Sequence, residues 1–516
     1  MVIVGLVVTA GIFLFNRWLQ QFVAQKLRSG LPGLSVDFSS VDTRLFYGSI
    51  EIKDLSLRFK THPPGKESYE HTAYFQDSRM KGIHFWKLLW NKELSIDSLS
   101  LQKGDLALDE QLFGDIQDLV SQINLKQLPV KALLISSVHL DHIRFWLRNK
   151  KNRSLLAQGG LRMQHLSLSP SSSLKELPVE SFALNLPEAF YKVGSYRLRL
   201  SHLRVEGNRN LVNLELDTMR GIPLYSKKEF SRRLGHQADR IESVISGFRI
   251  KDAQTDFILK GELNAAEISI KNSSFSVYRD RRFPRELEVQ PLPVAMMKRL
   301  PVEVRLKMLK LLNTSISYEE YPRRGNHTGT LRVDHLRLSL APFISHPAST
   351  DPSYMDLRAE GSLMGSGKIY TTMYLPLHSD QYAVRGAINR LDLTTLNDAA
   401  ENLGNIHIES GLLDSLGFQF HFTGQKSTGK IVGIYHHLII QPFKGKGGSK
   451  KIARFKSFIL RHFIIPLNKD RSVPERKRTG KIDYTRDPTR KVSFYVLQSL
   501  LTGIKSSFKL GFLLPK

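Results

Sequence analysis

Alternating leucine and isoleucine residues recur along almost the whole chain and constrain its fold more than any other feature. Segments such as 331–340 (LRVDHLRLSL) and 196–205 (YRLRLSHLRV) carry an apolar residue at nearly every second position. Successive side chains of a β-strand point to opposite faces, so this period gives each strand one apolar and one polar face. The sequence therefore predicts a mainly β protein with a few short helices.

Many of these segments contain one residue at which the alternation changes phase. In 48–59, Ile50 and Ile52 share one phase, and Leu55 resumes the pattern in the other phase after Asp54. An extra residue reverses the facing of all that follow, and such β-bulges bend a sheet. We therefore expect an elongated, strongly curved antiparallel sheet that forms a groove. A row of β-sandwich domains with filled interiors is the alternative.

The groove would be lined by the apolar residues that share one face of the bent strands. These candidates are Ile50, Ile52, Leu55, Leu57, Phe59, Leu99, Leu101, Leu198, Leu200, Ile268, Ile270, Leu336, Leu338, Leu391, Leu393, Ile406, Ile408, Phe418 and Phe420. A continuous apolar lining of this kind suits an acyl chain.

Three segments interrupt the strand pattern with helical spacing. We expect helices within 75–90 and 226–245, and a terminal amphipathic helix or strand within 493–504. The Pro-punctuated segment 291–312 is the best candidate for an internal joint.

An uncharged apolar run, residues 1–15, opens the chain and is followed by Asn16, Arg17 and Trp18. As a helix it rises about 22 Å against about 30 Å of hydrocarbon, and the amphipathic residues after it extend the span. We interpret it as a retained membrane anchor; a cleaved signal peptide is the alternative. The anchor candidates are Val2, Ile3, Val4, Leu6, Val7, Val8, Ile12, Phe13, Leu14, Phe15 and Trp18. The basic residues that follow would, by the positive-inside rule, place the body in the cytoplasm.

The net charge of +27 indicates an anionic partner, either a lipid surface or a nucleic acid. The densest basic block interleaves with apolar residues, as suits a phospholipid interface, although a solvated loop is an equal alternative. Its candidate lipid contacts are Lys444, Lys446, Lys450, Lys451 and Arg454. Nucleic-acid binding is a remote alternative, because no aromatic stacking motif or recognition module accompanies the charge.

No motif in the sequence indicates catalysis, a metal site or a cofactor. The absence of cysteine excludes thiol catalysis and cysteine-ligated metals. Residues 361–369 imitate a phosphate loop, but Ile369 stands where a hydroxyl residue is needed, so a glycine-rich hairpin is expected. The chain is predicted not to be an enzyme.

The C-terminal third resembles the closing repeats of AsmA-like envelope proteins, especially their Bacteroidota-type members. The resemblance is carried by 382–397 (YAVRGAINRLDLTTLN), 405–420 (NIHIESGLLDSLGFQF) and 427–440 (STGKIVGIYHHLII). The segment 34–55, soon after the anchor, is similar to the start of that family. No basic segment precedes the anchor, which differs from the family's pattern.

The resemblance implies a single-pass inner-membrane protein whose body lies in the periplasm, related to bridge-like lipid-transfer proteins. Such proteins guide phospholipids between membranes, serve outer-membrane homeostasis and have no catalytic residues; outer-membrane assembly components are further expected partners. A non-catalytic envelope scaffold with a filled β interior is the alternative function.

The expected organisation has six parts. They are an anchor (1–27), a first groove segment (28–290), a joint (291–312), an AsmA-like groove segment (313–443), a basic, partly flexible region (444–491) and a terminal amphipathic cap (492–516).

Overall fold

The computed structural model describes most of the chain between residues 34 and 508. The described residues are 17, 20, 21, 25, 34–44, 48–61, 69–109, 130–148, 153–169, 178–255, 261–442 and 477–508. The predicted anchor residues, the basic residues from Lys444 to Arg454 and most of the region 444–491 lie outside this part. Those predictions therefore stay predictions.

The prediction of a mainly β fold with a few short helices is confirmed, since the structure is 66% strand and 13% helical. All 21 described strands belong to one mixed sheet. The strands are β1 (Leu34–Asp37), β2 (Ser40–Arg44), β3 (Ser49–Thr61), β4 (Tyr69–Ile83), β5 (Glu93–Asp109), β6 (Ala132–Arg148), β7 (Arg153–Leu168), β8 (Ser181–Val193), β9 (Tyr196–Asn208), β10 (Leu211–Pro223), β11 (Asp239–Gln254), β12 (Glu262–Asp280), β13 (Glu303–Tyr321), β14 (Gly329–Ala341), β15 (Phe343–Ile344), β16 (Tyr354–Leu363), β17 (Gly367–Pro376), β18 (Tyr382–Asp392), β19 (Ile406–Phe422), β20 (Lys426–Pro442) and β21 (Arg478–Thr485).

The helices whose bounds the structure describes lie between strands or after them, and residues 17, 20, 21 and 25, before β1, are also helical. The helices with described bounds are α1 (Phe85–Asn91), α2 (Lys227–Leu234), α3 (Pro293–Met297), a 3₁₀-helix (Leu393–Leu396), α4 (Asn397–Gly404) and α5 (Val492–Ser507). None of the helices within the described residues has both the length and the apolar character needed to cross a bilayer.

Two of the predicted helices are much shorter than expected. The alternation of β4 continues through Phe75 to Ile83, so only the residues after His84 form α1. Helix α2 ends at Leu234 because Gly235 takes a left-handed conformation, with φ 79°, and closes the C-terminus. The following residues enter β11 instead of continuing the helix.

The chain divides into two compact units, which we call unit 1 and unit 2. Unit 1 comprises Met1–Lys192, Leu198–Thr218 and Ile250–Glu262, and unit 2 comprises Val193–Arg197, Met219–Arg249 and Leu263–Lys516. The predicted joint, 291–312, lies within unit 2, where it contains α3 and the first part of β13.

In unit 1, β1 and β2 both pair with β3, and pairing then continues in chain order from β3 to β8. One prediction is wrong here: β5 and β6 are parallel, whereas the sheet was expected to be wholly antiparallel. A parallel neighbour requires a crossover of a dozen or more residues. Residues 110–131, which join the two strands, provide this length.

In unit 2, the strands from β13 to β21 pair antiparallel, and β15 forms a short extra partner of β13. The apolar faces of these strands form the core of the unit. Helix α5 packs on this face, with Tyr495 and Phe422 in edge contact at 5.5 Å between ring centroids. Tyr382 stacks on Phe422 at 4.7 Å, so the end of the sheet is closed by aromatic side chains.

Several of the predicted changes of phase coincide with single residues in the left-handed conformation, but in β5 the left-handed residue is Lys103 and not the predicted Asp97 or Ser98. In unit 1, Asp54, Lys103 and His142 have φ angles of 53°, 51° and 56°. Lys103 and His142 lie side by side in β5 and β6, because Gln102 pairs with Asp141 and Gly104 with Ile143. We call such a line of left-handed residues across neighbouring strands a crease.

Unit 2 contains a second crease, fixed by hydrogen bonds between its side chains. Asn272, Asn313 and His335 have φ angles of 49°, 55° and 51°. The Asn313 amide donates to Asn272 Oδ1 at 2.8 Å, and Asn313 Oδ1 lies 3.0 Å from His335 Nδ1. Aligned bulges bend all the strands at one line, so each crease curves its part of the sheet.

Candidate functional site

Two continuous rows of side chains cross the apolar face of unit 1. The paired positions from β3 to β8 bring six residues together in the first row. They are Ile50, Met80, Leu99, Val138, Met163 and Phe182. Ile50 and Val138 are buried, whereas the other four are half-buried and keep part of their surface accessible.

The second row lies two residues further along each strand. The same pairings place Ile52, Ser78, Leu101, Leu140, Leu161 and Leu184 in line. Four leucines of this row are half-buried, and Ser78 is its only polar member. The two rows, which we call the apolar rows, form an apolar surface that crosses six strands.

The crease keeps the apolar face continuous beyond the rows. On its far side, Leu55 and Leu57 pack with Phe75 and Ile143 in one apolar cluster. An extra residue in each strand restores these side chains to the same face as the rows. The crease therefore bends the apolar surface without interrupting it.

The opposite face of the same strands is polar and carries ion pairs. Glu51, between the apolar Ile50 and Ile52, lies 3.0 Å from both Lys53 and Arg79, and Lys53 lies 2.5 Å from Asp77. Hydrogen bonds from Lys53 and then Arg79 lower the pKa of Glu51. The apolar rows therefore lie on the uncharged face of these strands, where most of the first row packs in one apolar cluster with Phe38 and Val41.

The predicted lining residues in the strands shared between units are half-buried. Leu198 and Leu200 alternate with exposed arginines in β9, as the prediction requires. In β12, Ile268 and Ile270 flank Ser269, and Ser269 is more buried than either isoleucine. By alternation, the two isoleucines lie on the face opposite to Ser269. The side chain of Phe59 lies outside the described part.

In unit 2, many predicted lining residues belong to a closed core. Leu391, Leu393, Ile408 and Phe420 are buried in the main apolar cluster, and Leu338 and Phe418 pack against it. Leu336 and Ile406 are half-buried. Because α5 and α3 contribute Tyr495 and Val294 to this cluster, the chain itself covers much of the apolar face here.

A groove of about 840 Å³ lies on the polar face of unit 2. Small residues, Ala387 and Gly417, line it beside Val432, and cations border it. Arg385 donates to the Tyr374 hydroxyl at 3.1 Å. The structure gives neither Arg385 nor Lys430 a carboxylate partner among the residues it describes. This second surface can receive an anionic group next to an apolar patch.

The structure adds members to the lining that sequence reasoning did not select. Met80, Met163 and Phe182 complete the first apolar row. The alternation of leucines is less regular in their strands, so the sequence alone did not select them. Knowledge of the register was needed, because only pairing shows which residue of each strand stands beside Leu99.

The chain was compared with models of known protein families and with curated proteins, and no match was found in either comparison. The resemblance to AsmA-like envelope proteins therefore stays a prediction that rests on the residues quoted for it.

Proposed function

We propose that this chain is a membrane-anchored, non-catalytic envelope protein that binds phospholipids and guides them between membranes. The apolar rows of unit 1 are the observation that carries the proposal. Six strands spaced about 4.8 Å apart extend about 24 Å, which exceeds the roughly 15 Å of one bilayer leaflet. The surface is thus wide enough to hold an extended acyl chain.

The half-buried leucines supply the driving force for this binding. Apolar area removed from water contributes about 25 cal/mol per Å², so an acyl chain laid across Leu99, Leu101, Leu140 and Leu161 is stabilised along its length. The apolar N-terminal run supports a membrane anchor, and the resemblance to envelope proteins supports a periplasmic body that reaches the outer membrane. The net charge of +27 supports anionic phospholipid as the cargo or the docking surface.

A photoactivatable acyl-chain phospholipid tests the proposal on the purified chain. We expect cross-links at the apolar rows, and we expect a Leu101→Gln/Leu161→Gln variant to lose most of its phospholipid binding. The matched control, Ser100→Gln/Arg162→Gln, changes neighbouring residues on the opposite face and should bind as the wild type does.

Circular dichroism and thermal unfolding establish whether both variants are folded. Cross-links confined to other regions, or unchanged binding by a folded Leu101→Gln/Leu161→Gln variant, would overturn the proposal. The cross-linking arm uses the wild-type chain, so the test holds even if the variant does not fold.

An envelope scaffold with a filled interior is the second candidate function. The closed core of unit 2 favours it, because Leu391, Ile408 and Phe420 contact other parts of the chain and are not open to a ligand. Absence of any phospholipid binding or cross-linking by the wild-type chain would support the scaffold.

A further inference from the structure

A pocket of about 490 Å³ in unit 2 is lined mainly by arginine side chains. Three of the arginines lie in the turn that follows β12, the fourth follows β13 and the fifth follows β21. They are Arg281, Arg282, Arg285, Arg323 and Arg490, and Gln237, Phe283 and Pro284 complete the lining. We call this the arginine pocket.

The turn that carries three of these arginines is fastened on both sides. The Gln237 side-chain amide donates to the carbonyl oxygens of Arg281 at 3.2 Å and Phe283 at 2.8 Å. The backbone N–H of Arg281 donates to Tyr321 O at 3.0 Å. The pocket is therefore built on a fixed framework, which limits the entropy that a ligand loses on binding.

Two of the five arginines each have a carboxylate partner of their own. Arg281 Nη1 lies 3.0 Å from Glu320 Oε1, and Arg282 Nη2 lies 2.6 Å from Asp280 Oδ2. Burial disfavours the charged Asp280 carboxylate, but the hydrogen bonds from Arg282 outweigh this effect and lower the pKa of Asp280. These two arginines are neutralised by their own partners.

The other three arginines have only one carboxylate partner between them within the described part of the chain. Arg285 and Arg490 share Asp487, at 3.2 Å and 3.6 Å, and Arg323 has no ion-pair partner among the residues described. Glu286, next to Arg285, is paired with His236 Nε2 at 3.2 Å. The five guanidinium groups therefore have three carboxylate partners, which leaves two positive charges without one. Burial, followed by the charges of Arg285 and Arg281, lowers the pKa of Arg490.

Further cations surround the pocket and increase this excess. Arg279 and Lys491 both contact Asp239, so two more positive charges share one carboxylate close to Arg490. Concentrating like charges in a partly buried site destabilises the fold unless an anion offsets them. The uneven pairing leaves this positive charge available to an anionic ligand.

We infer that the arginine pocket binds a phosphate group carrying about two negative charges. The planar guanidinium fork matches phosphate oxygens in two parallel hydrogen bonds, and several forks converge here on one cavity. The phosphate belongs either to a free anion or to a lipid headgroup. This inference does not depend on lipid binding by the apolar rows, which belong to unit 1.

Binding to the full chain in phosphate-free buffer tests the inference, with inorganic phosphate and phosphatidic acid vesicles as the two probes. We expect Arg323→Gln and Arg490→Gln to weaken binding of at least one probe by about tenfold or more, as loss of a charge-assisted hydrogen bond requires. Arg324→Gln is the matched control, because this exposed neighbour of Arg323 does not line the pocket.

Each outcome of this test is decisive. An effect of the two variants on inorganic phosphate supports a free anion as the ligand, and an effect confined to phosphatidic acid vesicles supports a lipid headgroup. Unchanged binding of both probes by folded variants, or an equal loss in Arg324→Gln, overturns the inference. Arg323 is exposed and forms no ion pair within the described part of the chain, so its substitution is expected to leave the protein folded.

Discussion

Two buried tyrosine hydroxyls in unit 2 differ in whether they have a hydrogen-bond partner. The Tyr382 hydroxyl accepts a hydrogen bond from the backbone N–H of Val294 at 3.2 Å. The Tyr435 hydroxyl is buried, and within the described part of the chain it has no hydrogen-bond partner. A buried polar group without a partner costs free energy, so the two hydroxyls contribute to stability with opposite signs.

Removing the two hydroxyls should therefore have opposite effects. Tyr435→Phe is expected to raise the free energy of unfolding by up to about 1 kcal/mol, and Tyr382→Phe to lower it by about 1 kcal/mol. Urea unfolding of the two variants measures both changes. Equal destabilisation by both substitutions would contradict this account of Tyr435.

The same residue gives a dependence on pH. Burial raises the pKa of Tyr435 to about 12, from its usual value of about 10. The folded state therefore favours the neutral hydroxyl over the ionised one. Below about pH 10 the hydroxyl is neutral in both states, and as the pH rises from about 10 to about 12 its ionisation in the unfolded chain lowers the free energy of unfolding. The advantage of Tyr435→Phe over the wild type should grow across this range.

Single residues also show what the sequence revealed about bending. The changes of phase predicted around Asp54 and within 331–340 coincide with left-handed residues, Asp54 and His335. The apolar pattern revealed these positions because only one face of each strand can be buried. The hydrogen bonds that join Asn272, Asn313 and His335 were not predictable, since they depend on which strands are neighbours.

At the scale of elements, α5 approaches the sheet so closely that only glycine fits between them. A Cβ atom on Gly480 in β21 would lie 1.9 Å from the carbonyl oxygen of Gly503 in α5. Gly503 in turn lies against Ile482 and Ile431. The helix therefore covers the apolar face of the last strands by direct backbone contact.

Gly480→Ala is expected to displace α5 and destabilise the protein by about 1–3 kcal/mol, as overpacking does. Gly417→Ala is the matched control in β19, because its nearest neighbour would be Val432 O at 3.9 Å. We expect that variant to remain within about 1 kcal/mol of the wild type. Chemical denaturation, with limited proteolysis of α5, measures both effects; wild-type behaviour of Gly480→Ala would disprove the close contact.

Sequence patterns identified the strands better than their partners. The leucine alternation in β5 and β6 fits parallel and antiparallel pairing equally, so the parallel pair was missed. Helix α2 was predicted too long because the polar spacing after Gly235 still fits a helical period. The glycine was the available signal for its end.

For the whole molecule, the charge of +27 dominates interactions with anionic surfaces. Such attraction is screened over about 10 Å at about 0.1 M salt and over about 3 Å at about 1 M. We expect binding to anionic phospholipid vesicles to fall by more than about tenfold over this range, a change of about 1.4 kcal/mol.

Neutral phosphatidylcholine vesicles provide the control for this prediction, measured by co-sedimentation. Their binding should change little, because apolar contacts are not screened by salt. Salt-independent binding to anionic vesicles would show that the basic residues do not contribute.

Distant parts of the chain supply the features that the sequence concealed most completely. Arg281, Arg323 and Arg490 meet in one pocket although nine of the described strands separate the first from the last along the chain. The packing of α5 on the sheet of unit 2 likewise depends on contacts between residues that are far apart in the sequence. Composition indicated an anionic partner, but only the fold shows where the charges converge.

The creases also determine where the chain can change in length during evolution. Because β12, β13 and β14 each contribute one left-handed residue to the second crease, deleting Asn313 would turn β13 over on one side of the line and leave β12 and β14 as they are. Its inward leucines would then face water beside correctly facing neighbours. Insertions and deletions of single residues should therefore be confined to the hairpin turns.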